Sequence, residues 1–177
     1  GGFAMQYVAY KIPQKVKGLL LFSTAMKQSE FALEYLNTRL KTLRNGISLE
    51  DSIKLFVPMI YADNFVTEDL INSIISKEKS NLYPQSTKSL EMQILACLNH
   101  DSSNICHQIN VPTLIVTGAL DKTIDKKSTL ILAENIKNSK LEIVPGVGHM
   151  IQIESPGPFC KITIKFINET EKATHSI

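Results

Sequence analysis

The chain has 177 residues, 44% of them apolar and 20% charged, and its 19 Lys and Arg against 17 Asp and Glu leave a formal charge of +2. This length and balance fit one domain with its own apolar core, and the dispersed lysines exclude a concentrated basic surface for nucleic acid. No apolar run approaches the roughly 18 residues of a membrane-spanning helix, and the longest candidate, GLLLF, is of strand length.

The three cysteines, Cys97, Cys106 and Cys160, are odd in number and lack CxxC spacing. A disulfide framework or zinc site is therefore not expected, and the thiols read as buried or idle in a reducing compartment. That reading makes the cytoplasm the expected location.

The chain opens GGFAMQYVAYKIPQKVKGLLLFST, in which Phe3 to Tyr10 reads as a helix stopped by Pro13, and Val16 to Phe22 as an apolar strand. The residues between Ser23 and Pro112 look helical throughout. Lys27 to Arg44 sets Phe31, Tyr35, Leu36, Leu40 and Leu43 at helical spacing, and Gly46 stops it. Ser48 caps a second segment with Glu50 and Asp51 in its first turn, and Ile53, Leu55 and Phe56 supply its apolar contacts before Pro58. Thr67 caps a third, with Leu70, Ile71, Ile74 and Ile75 as its buried face. A fourth runs from Ser86 to Leu98.

Two more strands follow. PTLIVT, Pro112 to Thr117, is a β-branched run bounded by Pro and by Gly118, as expected of a strand covered on both faces. It runs into GALDKTID, so Asp121 falls just past its end. After a helical segment, Leu141 to Val144 (strand 140–144) runs into PGVGH, and His149 also lies just past a strand end. In an open parallel sheet those ends form the crevice where ligands gather. A carboxylate that accepts the Nδ1 proton of an imidazole fixes its tautomer and stabilises its charged form, so the two residues belong together as an acid–base pair. Gly146 and Gly148 let the loop turn tightly and approach other backbone. The bland alternative is that Asp121 caps the next helix and His149 lies on the surface. Asp125 rivals Asp121, but it falls where the next helix begins and suits an N-cap. His100 and Asp101 suit turn and capping roles, whereas His107 and His175 have no partner signal. Pro156 to Asn168 reads as the last helix, with Phe159, Ile162, Ile164 and Phe166 as its apolar contacts, followed by a frayed polar tail over 171–177.

PTLIVTGALD, ending at Asp121, and GVGHMIQIESP, around His149, resemble the C-terminal half of the α/β-hydrolase superfamily, in which the acid and the His follow the nucleophile in that order. The resemblance implies an α/β fold with a short parallel sheet, a partial hydrolase core over 1–25 and 105–170, and a helical lid over 26–104. An independent helical bundle or one long crossover is the alternative for those helices. Met26, Phe56, Met59, Tyr61, Phe65 and Tyr83 could line a pocket, but each is expected instead to be plain core. Gly1 and Gly2 resemble the last two glycines of the GxSxGG nucleophile elbow, which would put the nucleophile, Ser, Cys or Asp, two residues before Gly1. An ordinary flexible terminus is the alternative. The function implied is hydrolysis of an ester, a lactone or an activated carbon–carbon bond. Asp121 and His149 would be catalytic, the substrate a small ester-like molecule, and no metal or organic cofactor would be needed. The chain alone would be inactive, and its unpaired edge strand would invite self-association. A non-catalytic ligand-binding or interaction protein on the same scaffold is the alternative function.

Overall fold

The computed structural model describes residues 1–174. In chain order its elements are α1 (Gly2–Lys11), β1 (Leu19–Phe22), α2 (Glu30–Arg44), α3 (Leu49–Ile60), α4 (Glu68–Lys79), α5 (Thr87–Leu98), β2 (Thr113–Gly118), α6 (Lys126–Asn135), β3 (Ser139–Val144), α7 (Ile151–Glu154) and α8 (Pro156–Thr174). The strands form one parallel sheet in the order β1-β2-β3, with Leu21 opposite Ile115 and Ile115 opposite Leu141. All C-terminal strand ends therefore open on one side, where Ser23, Asp121 and His149 follow β1, β2 and β3.

Helices cover both faces of the sheet, which is why β2 is buried at every position. Along β2 successive side chains alternate between two cores. Ile115 joins Leu19, Leu21, Ala9 of α1, Leu132 of α6 and Ile136 on one face. Leu114 and Val116 join Val144, Ile151 and Phe166 of α8 on the other. Burying each Leu, Ile or Phe contributes about 1.5–3 kcal/mol, so the sheet is a firm base for the loops at its end. Between β1 and β2, helices α3 and α4 share a third cluster built on Ile53, Val57, Tyr61 and Ile75. Ser29, Ser48, Thr67 and Ser86 each accept a backbone N–H three residues on, and so start α2 to α5. Gly46 turns the chain after α2 at φ 76°. Among the described residues no helix is long and apolar enough to cross a membrane.

Several expectations need correction. β1 begins at Leu19 rather than Val16, because a 3₁₀ turn occupies Pro13–Lys15 and Gly18 lies beneath α8. A Cβ on Gly18 would stand 2.9 Å from Thr170 Cγ2 and 3.1 Å from the Phe166 ring. Helix α2 starts three residues later than Lys27, and Phe31 on its first turn is 58% exposed instead of joining the apolar side. Leu55 is 50% exposed rather than an apolar contact, and α3 continues through Pro58. Pro58 lies in the last turn, where it removes one helical donor, and its own carbonyl accepts the Lys122 ammonium at 2.9 Å. Helix α8 runs past Asn168 to Thr174, so 171–174 are helical rather than frayed. No Gly or Pro interrupts that stretch, and the Thr170 hydroxyl donates back to Phe166 O at 3.0 Å. Ile164 on α8 is exposed. Residues 175–177, His175 among them, lie outside the described residues. Cys106 is buried and Cys97 half-buried, but Cys160 is exposed.

Candidate active site

The chain leaves β2 through a tight turn that the neighbouring strand's loop holds in place. Ala119 N–H donates to Val144 O at 2.9 Å and Leu120 N–H to Val147 O at 2.8 Å. This brings Asp121 inward with its side chain 0% exposed. Its Oδ1 accepts the backbone N–H groups of Thr123 and Ile124 and the Thr123 hydroxyl, each at 2.9 Å. Its Oδ2 lies 2.9 Å from His149 Nδ1. The sequence-predicted pair is thus brought into direct contact across the sheet's end. Burial alone would raise the carboxyl's pKa, but the hydrogen bond and charge of His149 and the donors of Ile124 and Thr123 outweigh it and hold it below the ordinary range.

The donors fix the tautomer. An ionised Asp121 only accepts, so the Nδ1 facing Oδ2 carries the proton, and the other ring nitrogen, Nε2, keeps its lone pair. Thr123 Oγ1 lies 2.8 Å from the same Nδ1, so the ring N–H is shared between Oδ2 and the hydroxyl oxygen while the hydroxyl proton goes to Oδ1. Among the described residues no group is hydrogen-bonded to Nε2. The lone pair on Nε2 can accept a proton, and the imidazolium so formed would be stabilised by the Asp121 carboxylate at Nδ1.

The folded pKa of Asp121 lies below its unfolded value, which sets the sign of its linkage to stability. Its stabilising effect is complete above the ordinary aspartate value of about 4 and is lost as pH falls through the lower folded value. Urea unfolding followed from pH 6 to 2 should therefore show a steep acid loss for the native chain and a shallower one for Asp121→Asn. Equal slopes would mean the carboxyl contributes nothing through its ionisation.

The backbone of His149 is held at both ends. Its N–H donates to Ile60 O at 3.1 Å, and its C=O accepts the Ser23 hydroxyl at 2.8 Å. Ser23 adopts φ 46°, unusual for a residue with a side chain, where the chain turns off β1. The Glu154 carboxylate accepts Gly148 N–H at 2.9 Å, Met150 N–H at 3.1 Å and Ala62 N–H at 3.0 Å, tying the loop to the residues just after α3. Gly146 takes φ 72°, and a Cβ on Gly148 would stand 2.6 Å from Ala62 N, so the turn and the close approach both require glycine. Glu154→Ala strands three N–H groups and is expected to cost about 2–3 kcal/mol in urea denaturation. A loss under about 0.5 kcal/mol would mean water replaces the carboxylate.

The other candidates have structural partners. Asp125 caps α6 through Ser128 N–H at 2.7 Å. The His100 ring stacks on Phe3 at 3.9 Å between centroids, and Asp101 accepts Ser103 N–H at 2.8 Å in a turn. A cavity of 410 Å³ opens at His149, lined also by Ser23, Gln28, Tyr35, Arg39 and Met150. Met26, Phe56, Met59, Tyr61, Phe65 and Tyr83 are not on its wall. Met26, Phe56 and Tyr61 are buried in the core, whereas Tyr83 is 88% exposed. Thr123, Ser23 and Glu154 escaped the sequence reading. Glu154 stands in the quoted GVGHMIQIESP and Thr123 in GALDKTID, but their roles depend on contacts that neither spacing reveals.

The chain is similar to known proteins. Residues 1–156 match the family model of the alpha/beta hydrolase fold. The chain is 28% identical over 159 residues to Lipase 3 of Moraxella sp. (strain TA144), covering 88% of this chain and 49% of the lipase. It is 26% identical over 175 residues to the pimeloyl-[acyl-carrier protein] methyl ester esterase of Wigglesworthia glossinidia brevipalpis, covering 96% of this chain and 67% of that protein. Among solved structures, MGS-M2, an alpha/beta hydrolase from a Medee basin deep-sea metagenome library, superimposes with a TM-score of 0.82 at 21% identity, over 95% of this chain and 62% of that one. BpoC of Mycobacterium tuberculosis H37Rv, described as a putative non-heme bromoperoxidase, gives 0.83 at 17% identity, over 96% and 64%. The chain thus spans about half the length of the lipase. With its match over 1–156 and its Asp and His meeting at the end of a parallel sheet, the chain belongs to the alpha/beta hydrolase fold family.

Proposed function

We propose that Asp121 and His149 are the acid and base of a nucleophile–histidine–acid relay that hydrolyses carboxylic esters, and that the nucleophile belongs to a segment preceding Gly1. The observation that carries this reading is the 2.9 Å contact between Asp121 Oδ2 and His149 Nδ1 at the mouth of a cavity. A hydroxyl or thiol nucleophile attacks the ester carbonyl while His149 Nε2 takes its proton. Asp121 stabilises the imidazolium, which then protonates the departing alcohol. Water, deprotonated by the same nitrogen, releases the acid. The names of the lipase and the methyl ester esterase support an ester substrate. Gly1 and Gly2 line the same cavity as His149, which suits an elbow arriving there. In this reading α2 to α5 act as the lid over the pocket, and the outer edge of β1 receives the strand that leads into the elbow.

The test is hydrolysis of a short-chain p-nitrophenyl ester by this chain, alone and extended upstream. The expected result is turnover only by the extended form, abolished by His149→Ala. Turnover by the 177-residue chain itself, lost in His149→Ala, would refute an outside nucleophile. An extended chain without esterase activity would favour a binding protein instead.

A further inference from the structure

Resting on the reading of this cavity as the substrate pocket, we propose that it selects an ester carrying a free carboxylate, a half-ester of a dicarboxylic acid, with Arg39 as the residue that binds the carboxylate. Arg39 lies on α2 one turn after Tyr35, and its guanidinium carbon is 5.1 Å from the centre of the Phe56 ring. Among the described residues that line the cavity, Arg39 is the sole side chain with a permanent charge, and no Asp or Glu lines it. Arg39 Nε is buried with no hydrogen-bond partner, as is Gln28 Oε1, and the buried Tyr35 hydroxyl has the Arg39 guanidinium as its polar neighbour.

Chemistry favours one kind of occupant for such a wall. An unpaired buried donor leaves its desolvation uncompensated, more so when charged, so Arg39 gains most from a ligand that accepts a hydrogen bond from it. A guanidinium presents parallel N–H groups matched to the two oxygens of a carboxylate, and the Tyr35 O–H is available as a further donor. One cation balances one monoanion, which favours a carboxylate over a doubly charged phosphate. The rest of the wall is mostly apolar, including Phe22, Leu36, Ile60 and Ile124, and suits a short methylene chain between the carboxylate and the ester. His149 lines the same cavity, so both ends of a half-ester find a partner within it.

The test needs no turnover, which separates it from the esterase reading. Monomethyl and dimethyl esters of glutaric and adipic acid are titrated into the 177-residue chain by calorimetry, with the Gly1 amine acetylated to remove its charge. The half-esters should bind at least about tenfold more tightly than the diesters. That preference should fall to less than about twofold in Arg39→Gln and persist in part in Arg39→Lys, which keeps the charge without the fork. Equal affinity for half-ester and diester, no binding by either, or a preference that survives Arg39→Gln would each overturn the proposal. The comparison in the unsubstituted chain decides the matter even if Arg39→Gln fails to fold. A preference without ester hydrolysis by the extended chain would refute the hydrolase reading and leave the carboxylate site standing. Hydrolysis of diesters and half-esters alike, without preferential binding, would do the reverse.

Discussion

If the proposed relay holds, Asp121→Asn is expected to lower kcat/KM for a carboxylic ester by about 10⁴-fold in the upstream-extended chain. The carboxamide keeps the shape of the carboxylate, and its oxygen can still accept the N–H groups of Thr123 and Ile124 that now meet Oδ1. Its NH₂ then occupies the position of Oδ2, 2.9 Å from His149 Nδ1. Two donors cannot share that contact, so the ring moves its proton to Nε2 and loses the lone pair that the proposed relay assigns to accepting a proton from a nucleophile. The imidazolium also loses its counter-charge. Nitrogen NMR of His149 in the 177-residue chain should report the tautomer change directly. A ring that stays protonated at Nδ1 in Asp121→Asn, with activity within tenfold of the parent, would remove Asp121 from the acid role.

Gly118→Ala is expected to destabilise the chain by about 3 kcal/mol or more and to lower ester hydrolysis by at least about 100-fold. A Cβ at this position would lie 2.1 Å from Gly148 O and 2.3 Å from Val147 O. Both are main-chain atoms, so no rotamer relieves the overlap. An ordinary carbon-to-oxygen approach is about 3.3 Å, and the loop would have to retreat by on the order of 1 Å. Retreat is opposed from the other side, because Gly148 already packs so close to Ala62 that a Cβ there would stand 2.6 Å from its nitrogen. It would also break the 2.8 Å bond from Leu120 N–H to Val147 O, which holds the turn carrying Asp121. The carboxyl and the imidazole should therefore separate. Urea denaturation and the amide shifts of 147–150 would measure the effect, and a stable Gly118→Ala chain with unmoved shifts would mean the two loops are more compliant than their packing implies.

The parts of this protein legible in its sequence are those written in neighbouring residues. Ser48 and Thr67 could be read as caps because a cap and the N–H it accepts are three residues apart. The same local rule separated Asp125, which caps α6, from Asp121, which follows a strand. The β-branched run at β2 announced a strand covered on both faces, and parallel strand ends implied a shared rim for Asp121 and His149.

What only the tertiary structure decided lies in contacts between residues far apart in the chain. Ser23 and His149 are 126 positions apart, and Ala62 and Glu154 are 92 apart, yet these bonds hold the imidazole in place. Gly118 could be read as a turn residue, but its need for a bare Cα comes from the backbone of Val147 and Gly148 crossing above it. Likewise α2 presents Tyr35, Leu36 and Arg39 to the cavity, whereas Phe56 and Tyr61 are core residues, as expected, and Tyr83 is exposed. Hydrophobic period and capping chemistry act over a turn or two of chain and so determine which elements form. The partners of a side chain across a cleft depend on how whole helices and strands stack, an outcome of summed packing energies that no single stretch encodes.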